Sequence, residues 1–250
     1  MKISVITMTY HNHEQLLSSA RSVLSQEYED LEYIVVDGGC DEETRLAIEK
    51  IRRRMEKRSG SFLSVSEPDR GLYDALNKGI RMASGDLVGL MCDRFADARV
   101  LGDMARAVEA EGADGVHGDL NYVQGRQVVR SWRMGQGSIE KGWMPGHPTL
   151  YLKKEIYDKY GLYRTDLKIA ADYEFMVRIL SKGGVRLAYL PRVLVYMDHG
   201  GDSASTGSLK NYVNSFREAR RALAENGVAH PTLITLRRTL KVLLQFLGRK

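Results

Sequence analysis

The sequence predicts an α/β fold, a Rossmann-like and mainly parallel sheet flanked by helices. Short apolar runs rich in β-branched residues alternate with helical patterns over the first third of the chain. Polar, glycine or acidic residues follow each of the first four runs, where ligands bind in open parallel sheets. With 250 residues, 43% of them hydrophobic, the chain can bury a core of ordinary size. We therefore expect one domain with a shared pocket at the strand ends.

The elements follow one another in a regular order. Strands are predicted at 3–7, 32–37, 62–66 and 86–91, and helices at 14–26, 43–57 and 72–83. The first helix is amphipathic, with Leu16, Ala20 and Val23 among its apolar positions. This rhythm implies right-handed crossovers between parallel strands.

From about residue 112 the pattern changes to shorter pieces. These are a hairpin closed near 124–126, a strong amphipathic helix at 170–183, and two short strands at 186–190 and 193–197. The chain from about residue 208 is helical. The expected sections are therefore 1–111, 112–207 and a C-terminal helical extension at 208–250.

Charge and cysteine content exclude some classes of protein. The 37 Lys and Arg residues against 32 Asp and Glu give a net charge of +5, which permits anionic ligands but lacks the basic footprint of a nucleic-acid-binding protein. The two cysteines lie in separate motifs and no signal-peptide pattern opens the chain, so we expect a reducing cytoplasm. No run of 18 apolar residues predicts a membrane span.

Three stretches, in this order, resemble the family 2 glycosyltransferases, which are inverting sugar-nucleotide enzymes with the GT-A fold. They lie at 4–44, 66–91 and 146–179 and contain "VVDGGCDEET", "EPDRGLYDALNKG" and "AADYEFMVRI". The resemblance implies that 1–111 is the nucleotide-sugar-binding half and 112–207 the acceptor-binding and catalytic half. Within this family, the sequence resembles bacterial enzymes that build cell-surface polysaccharide.

A nucleoside pocket is expected after the first two strands. A carboxylate at a strand exit can accept the imide hydrogen of uracil, and glycines let the nucleoside approach the backbone, which describes Asp37 with Gly38 and Gly39. The alternative is that Asp37 only caps the next helix. By resemblance, four further residues complete the pocket: Thr7, Thr9, Tyr10 and Asp69.

The diphosphate is expected at the start of the helix after "EPDRG", at Gly71, because a helix N-terminus favours an anion. Asn77 matches a polar position that faces the nucleotide in the relatives. Lys78 could contact the nucleotide or be a solvated surface charge.

The fourth strand ends where relatives place two adjacent acidic residues that hold Mn²⁺ or Mg²⁺, but Arg94 stands here beside Asp93. Asp93 could hold the metal, helped by Asp97. Alternatively, Arg94 contacts the diphosphate through its planar fork of donors, or it pairs with Asp93 in an inactive relative. We expect a divalent metal site of reduced affinity.

The general base of an inverting transfer is expected at Asp172, which matches the family's catalytic position in the first turn of its helix. The alternative is a charge that only favours the helix dipole. Glu174 is assigned to the acceptor or sugar side, and Arg178 is expected to be structural.

Three more residues are assigned to the acceptor or sugar. His147 lies between two prolines and could orient substrate or be structural, and Trp143 offers an apolar face for a sugar ring or for core packing. His199, with Ser203, lies in a glycine turn where relatives keep a loop that closes over the nucleotide.

The predicted last helix is basic and amphipathic. Arginines and lysines surround an apolar face of Leu236, Leu240, Leu243, Leu244 and Leu247. Such a helix can lie in an anionic membrane interface, or it can pack on the domain or on a second subunit of a homodimer.

The expected function is transfer of a sugar from a nucleotide donor, UDP-linked, to a glycan or lipid-linked glycan in cell-surface polysaccharide or lipopolysaccharide synthesis. A nucleotidyltransferase would need a glycine-rich basic loop after the first strand, which "TMTYHNHE" lacks. A catalytically inactive binding subunit is the other alternative, and the presence of Asp172 disfavours it.

Overall fold

The computed structural model describes residues 1–181, 184–198 and 209–247. The first section alternates strands with helices: β1 (Ile3–Thr9), α1 (His13–Leu24), β2 (Leu31–Asp37), α2 (Glu42–Met55), β3 (Ser61–Ser66), α3 (Leu72–Met82) and β4 (Leu87–Leu90). Each of these elements lies within about two residues of its predicted bounds. The predicted α/β alternation is confirmed.

The remaining described elements are shorter and more varied: β5 (Arg94–Phe95), α4 (Val100–Glu111), β6 (Gly115–Gln124), β7 (Gln127–Trp132), β8 (Tyr151–Lys153), α5 (Lys154–Tyr160), α6 (Ala171–Ser181), β9 (Leu187–Asp198), α7 (Leu209–Glu225) and α8 (Pro231–Leu247). Two single turns of 3-10 helix lie at Ile139–Lys141 and His147–Thr149. The hairpin of β6 and β7 is as expected, whereas α4 was not among the predicted elements.

Strand β9 corrects the prediction of two separate strands at 186–190 and 193–197. It runs unbroken beside β6, but its register shifts so that Gly118 pairs with Leu190 and Asp119 pairs with Val193. Pro191 and Arg192 bulge out between these pairs. Proline lacks the N–H that a strand interior needs, so a bulge is where it is tolerated.

The described strands form one mixed sheet in the order β3-β2-β1-β4-β8-β6-β9-β5, with β7 beside β6. Strands β3, β2, β1 and β4 are parallel to one another, whereas β8 runs antiparallel to both β4 and β6. Thr9 pairs with Asp37, and Asp37 pairs with Ser66. The first three strands therefore end level, which places their exits at one edge.

The core lies on both faces of this sheet. Successive residues of β1 point to opposite faces, so Val5 packs with α1, α2 and α4, whereas Ile6 packs with α3, α6 and α7. The result is a three-layer arrangement with the sheet in the middle.

The C-terminal helices are part of this packing. Helix α7 buries Ala219, Ala222 and Leu223 completely, and α8 buries Ile234. Glu218 of α7 accepts hydrogen bonds from the backbone N–H groups of Ile169 and Ala170, each at 2.9 Å, just before α6. The extension therefore holds the start of the helix that carries Asp172. Among the described residues, no helix has the length and apolar character needed to cross a bilayer.

Candidate active site

A cleft of about 440 Å³ opens where β1 ends and α3 begins. It is lined by Met8, Thr9, Tyr10, Asp69, Gly71, Leu72 and Ala75. Four of the residues predicted to bind the nucleotide are among them: Thr9, Tyr10, Asp69 and Gly71. The cleft lies at the carboxyl ends of parallel strands, as expected for this sheet.

Thr9 and Tyr10 form the side of the cleft after β1. The Thr9 hydroxyl donates a hydrogen bond to the carbonyl of Asn12 at 3.2 Å. The Tyr10 ring is exposed and meets the ring of His11 edge-on, with 4.4 Å between centroids. The Nδ1 atom of His11 lies 2.9 Å from a carboxylate oxygen of Asp41. A polar pair therefore fixes the ring against which Tyr10 rests.

Asp37 does not face the cleft as the sequence predicted. Its side chain is completely buried. One oxygen accepts the N–H groups of Gly39 and Cys40, and the other accepts the Ser66 hydroxyl at 2.7 Å. The alternative cap role is wrong too, because Asp41 caps α2. Asp37 holds the turn after β2 to the end of β3.

Thr7 also lies inside the sheet rather than in the cleft. It is buried, and its hydroxyl accepts a hydrogen bond from Tyr33 and donates one to the carbonyl of Met91. It therefore joins β1 to the exit of β4.

The two glycines after β2 are required by close packing. A Cβ atom on Gly38 would lie 1.9 Å from a carboxylate oxygen of Asp69, and one on Gly39 would lie 2.7 Å from the backbone nitrogen of His11. Asp69 also accepts the N–H of Gly71 at 2.8 Å. Asp69, rather than Asp37, is thus the carboxylate that lines the cleft.

Lys78, on α3, contacts the loop that precedes this helix. Its ammonium group donates to the carbonyl of Pro68 at 2.9 Å and pairs with Glu67 at 3.0 Å. Gly71 precedes the helix with φ of 117°, a conformation that glycine adopts readily. Lys78 is therefore neither a free surface charge nor directed at the cleft; it positions the loop that lines it.

Asn77 differs from its expected role as well. The side chain is buried, donates to the carbonyl of Tyr163 at 2.8 Å and accepts the Tyr163 N–H at 2.9 Å. Both ends of the amide are used to hold the segment before α6, so the side chain does not face the cleft.

Asp172 lies in the first turn of α6, half-buried, with its Oδ1 atom accepting the N–H of Tyr173 at 2.7 Å. The hydroxyl of Tyr73, on α3, lies 3.3 Å from the same oxygen and 3.0 Å from the carbonyl of Ile169. Burial and the neighbouring Asp172 raise the pKa of Tyr73 well above its usual value, so it stays a donor. One helix thus lines the cleft and contacts Asp172.

Glu174 points away from this group. It is buried, pairs with Arg178 at 2.8 Å and accepts the side-chain amide of Asn226 at 3.1 Å. Arg178 also donates to the carbonyls of Tyr160 and Leu162. The acceptor role assigned to Glu174 is therefore not supported, whereas Arg178 is structural as expected.

His147 lies near Asp172 and is half-buried. Its Nε2 atom is 2.9 Å from the hydroxyl of Tyr163. Burial lowers the pKa of His147 although the negative charge of Asp172 raises it, so the imidazole is neutral near pH 7. The contacts of Trp143 support its alternative role in core packing. Its indole N–H donates to the carbonyl of Met134 at 2.9 Å, and its ring packs on Gly137.

Asp93 lies after β4 beside Asp198, the last residue of β9. One Asp93 oxygen accepts the backbone N–H of Asp198 at 3.2 Å. Arg94 pairs with Asp198 at 3.4 Å rather than with Asp93. Burial, with the Asp198 charge adding to it, raises the pKa of Asp93 to about 6, although the Asp198 N–H and Arg94 lower it. Asp198 was not predicted as part of this site, because it lies 105 residues from Asp93 in the sequence. The only local signal is its place shortly before Gly200 and Gly201.

The structure gives partial support for a cation at Asp93. Asp97 does not help, because it pairs with Arg192. Among residues 1–181, 184–198 and 209–247 there is no group of three His, Cys, Asp or Glu side chains that could hold a metal. Yet Asp93 and Asp198 place carboxylate oxygens side by side after β4 and at the end of β9, with Arg94 paired to Asp198. They fit a cation that takes its remaining ligands from water or a phosphate. The predicted His199 and Ser203 lie outside the described residues.

Comparison with known proteins identifies the family. Residues 4–163 match the profile of "Glycosyl transferase family 2". An uncharacterized glycosyltransferase of Mycobacterium tuberculosis is 32% identical over 187 residues, which cover 70% of this chain and 68% of that protein. A "PGL/p-HBAD biosynthesis glycosyltransferase" of Mycobacterium bovis is 26% identical over 209 residues, 79% of this chain and 77% of that protein.

Solved structures show the same fold. Staphylococcus aureus TarS in complex with UDP-GlcNAc matches with a TM-score of 0.72 at 20% identity, over 96% of this chain and 72% of that chain. The mannosyltransferase PcManGT of Pyrobaculum calidifontis, in complex with GDP-Man and Mn²⁺, matches with a TM-score of 0.63 at 17% identity, over 100% of this chain and 76% of that chain. With a cleft at its strand ends and this profile match over most of its length, the chain belongs to the family 2 glycosyltransferases and has their GT-A fold.

Proposed function

We propose that this glycosyltransferase moves a sugar from a UDP-linked donor to a hydroxyl of a glycan or lipid-linked glycan, with inversion at the anomeric carbon. The observation that carries the proposal is that α3 lines the cleft with Leu72 and Ala75 and contacts Asp172 through the hydroxyl of Tyr73. Residues 1–111 would bind the donor and 112–207 the acceptor. The complex of TarS with UDP-GlcNAc supports a UDP-linked donor.

The donor would bind along the cleft. The exposed ring of Tyr10 offers a face for the nucleobase, and Asp69 can accept the imide hydrogen of uracil. The N-terminus of α3 would then face the diphosphate, because its first N–H groups favour an anion. Asp69 takes the role that the sequence assigned to Asp37.

Asp172 would act as the general base. As the acceptor oxygen forms a bond to the anomeric carbon, the bond from that carbon to the UDP oxygen breaks and the acceptor proton passes to the carboxylate. The second Asp172 oxygen has no hydrogen bond within the described residues and is free for this step. His147, held by the hydroxyl of Tyr163, would help to orient the acceptor.

A divalent cation would neutralise the departing diphosphate. In this chain Asp93 and Asp198 would hold it, with the phosphates completing its ligands. Arg94 would add a positive charge beside them. The presence of Mn²⁺ in the PcManGT complex supports metal use.

For the acceptor and the cellular location, the proposal names only a class of acceptor and a compartment. A mycobacterial relative is named for PGL/p-HBAD biosynthesis, which supports an acceptor destined for the cell surface. We place the enzyme in the cytoplasm, where nucleotide sugars are made.

The test is release of nucleoside diphosphate from a panel of UDP-sugars and GDP-mannose, with Mn²⁺, Mg²⁺ or chelator, beside Asp172→Asn. We expect turnover with at least one UDP-sugar and a loss of about a hundredfold or more in the variant, since a general base contributes that much. UDP binding, measured by calorimetry, should stay unchanged. Glu111→Gln, at an exposed acid at the end of α4, is the control.

Three results would contradict the proposal. Full turnover in Asp172→Asn would remove the base assignment, leaving Asp172 a charge that favours the helix dipole. Turnover with GDP-mannose alone would replace the UDP-linked donor. Tight UDP binding without turnover of any donor or acceptor would favour a binding role for this chain.

A further inference from the structure

Helix α8 presents two opposite faces. Ile234 and Thr235 are buried against the domain. Leu233, Leu236 and Leu240, which we call the leucine stripe, are 46%, 52% and 58% exposed. Spacings of three and four residues place these leucines on one side of the helix, roughly opposite the buried pair. An apolar face is thus left in water after the helix has packed.

The charge around the stripe has one sign. Residues 231–250 contain five bases and no acid, so they carry a charge equal to the chain's whole net charge of +5, and the rest of the chain is balanced. Arg237 and Lys241 are exposed beside the stripe on the same helix. Apolar and cationic groups therefore occupy one surface.

The inner side of α8 is fixed to the acceptor half. The Arg238 guanidinium lies 4.5 Å from the ring centre of Tyr173, next to Asp172. A Cβ on Gly142 would lie 3.0 Å from the backbone nitrogen of Arg238. Lys241 lies at the edge of this contact: it donates one hydrogen bond to the carbonyl of Lys141 at 2.9 Å, and its side chain stays exposed. A ligand on the outer face of α8 would therefore lie near the helix that carries Asp172.

We propose that the leucine stripe docks on an anionic lipid bilayer, with α8 lying in the interface. The leucines would enter the boundary between headgroups and acyl chains, while Arg237 and Lys241 contact lipid phosphates. A lipid-linked acceptor held in that bilayer would then approach Asp172 from the membrane side.

Charge favours lipid over a second copy of this chain. A symmetric dimer formed through the stripe would place each Arg237 and Lys241 against the same cations of its partner. No acid on α8 could compensate them. An anionic headgroup layer compensates all of them at once.

The experiment is flotation of the full chain with vesicles of phosphatidylcholine alone or with phosphatidylglycerol added. We expect binding only to the anionic vesicles, weakened by salt. Leu236→Gln with Leu240→Gln should lower the partition coefficient about tenfold or more. Arg237→Gln with Lys241→Gln should weaken binding and reduce its salt dependence. Leu46→Gln, at a leucine 47% exposed on α2, is the matched control and should bind normally.

The proposal is overturned by absence of binding to anionic vesicles or by equal binding of wild type and the double leucine variant. Conversion of a dimer to a monomer by the leucine variant, seen by sedimentation, without any vesicle binding, would assign the stripe to a second copy instead. Circular dichroism and UDP binding confirm that each variant is folded. None of these readouts depends on turnover, so failure here is distinct from failure of the proposed reaction.

Discussion

The hydroxyl of Tyr73 lies 3.3 Å from the Oδ1 atom of Asp172, joining α3 to α6 across 99 residues of sequence. The same hydroxyl is 3.0 Å from the carbonyl of Ile169, at the start of α6. Because the first turn of α3 also lines the cleft, the orientation of Asp172 depends on a helix of the cleft where we propose that the donor binds. In the proposed reaction Tyr73 is a positioning residue, because it acts through Asp172.

Replacing Tyr73 by Phe removes this contact while keeping the buried ring. We expect kcat to fall by about tenfold to a hundredfold with the donor KM nearly unchanged, because a hydrogen bond to a carboxylate contributes on the order of 1.5–3 kcal/mol. Steady-state kinetics with the best donor measures both constants. Tyr28→Phe, which removes a hydroxyl bonded to the carbonyl of Met1, is the control. An unchanged kcat would show that the contact does not matter for turnover.

Replacing Asp198 by Asn should weaken the apparent affinity for Mn²⁺. If Asp198 and Asp93 share a cation, losing one charged ligand should raise the half-maximal Mn²⁺ concentration about tenfold. A titration of turnover against Mn²⁺ gives this value. Asp97→Asn is the matched control, because that carboxylate lies four residues after Asp93 but pairs with Arg192. Equal shifts in the two variants would exclude Asp198 as a ligand.

Replacing Gly38 by Ala should disturb the donor cleft. The new Cβ would lie 1.9 Å from the Asp69 carboxylate, so that side chain must move away from the cleft it lines. We expect weaker UDP binding, about tenfold, with little change in the melting temperature. Calorimetry and thermal unfolding measure the two effects. Gly102→Ala, a helical glycine with only ordinary contacts, should leave UDP binding intact; normal binding by Gly38→Ala would show that Asp69 is dispensable.

His117 makes stability depend on pH. It is completely buried, and its ring nitrogens have no hydrogen-bond partner in the part of the chain that the structure describes. Burial lowers the pKa of His117 to about 4 despite the opposing charge of Asp119. Unfolded histidine titrates near 6.5, so between these values the unfolded chain binds more protons. Above about pH 6.5 His117 is neutral in both states, so the free energy of unfolding is unaffected by its titration. As the pH falls from there towards 4, only the unfolded chain takes up the proton and the free energy of unfolding decreases. The loss from this group is of the order of 3 kcal/mol.

The test is chemical denaturation of wild type and His117→Phe between pH 8 and pH 5. Phenylalanine suits a site where the ring packs against Trp143 and Tyr189. We expect similar stability at pH 8 and a smaller loss on acidification in the variant. Parallel pH curves for the two proteins would show that His117 is not responsible.

The sequence was sufficient for elements with a strong periodicity. The strands and helices of 3–91 follow from alternating apolar runs, and the strand exits correctly marked the cleft. Nothing in the sequence showed which exit residue turns inward. Asp37 and Asp69 both follow strands, yet the partners of Asp37 come from its own turn and from Ser66. The choice between these carboxylates is made by packing around Gly38.

Contacts between segments far apart in the sequence could not be predicted either. Asp198 reaches Asp93 because β5 and β9 pair, and no local pattern records that pairing. Helix α8 was predicted either to pack on the domain or to expose an apolar face. It does both, since its buried residues and its leucine stripe lie on opposite sides.

The contacts of Glu218 make the folding of α6 depend on a segment that is synthesised after it. Its carboxylate receives the N–H groups of Ile169 and Ala170, so the helix that bears Asp172 lacks these partners until α7 has been made. The parallel strands that form the cleft are complete well before that. A nascent chain could therefore fold its first half on the ribosome, with α6 anchored only after α7 emerges. The enzyme would become active only once α7 has joined the fold.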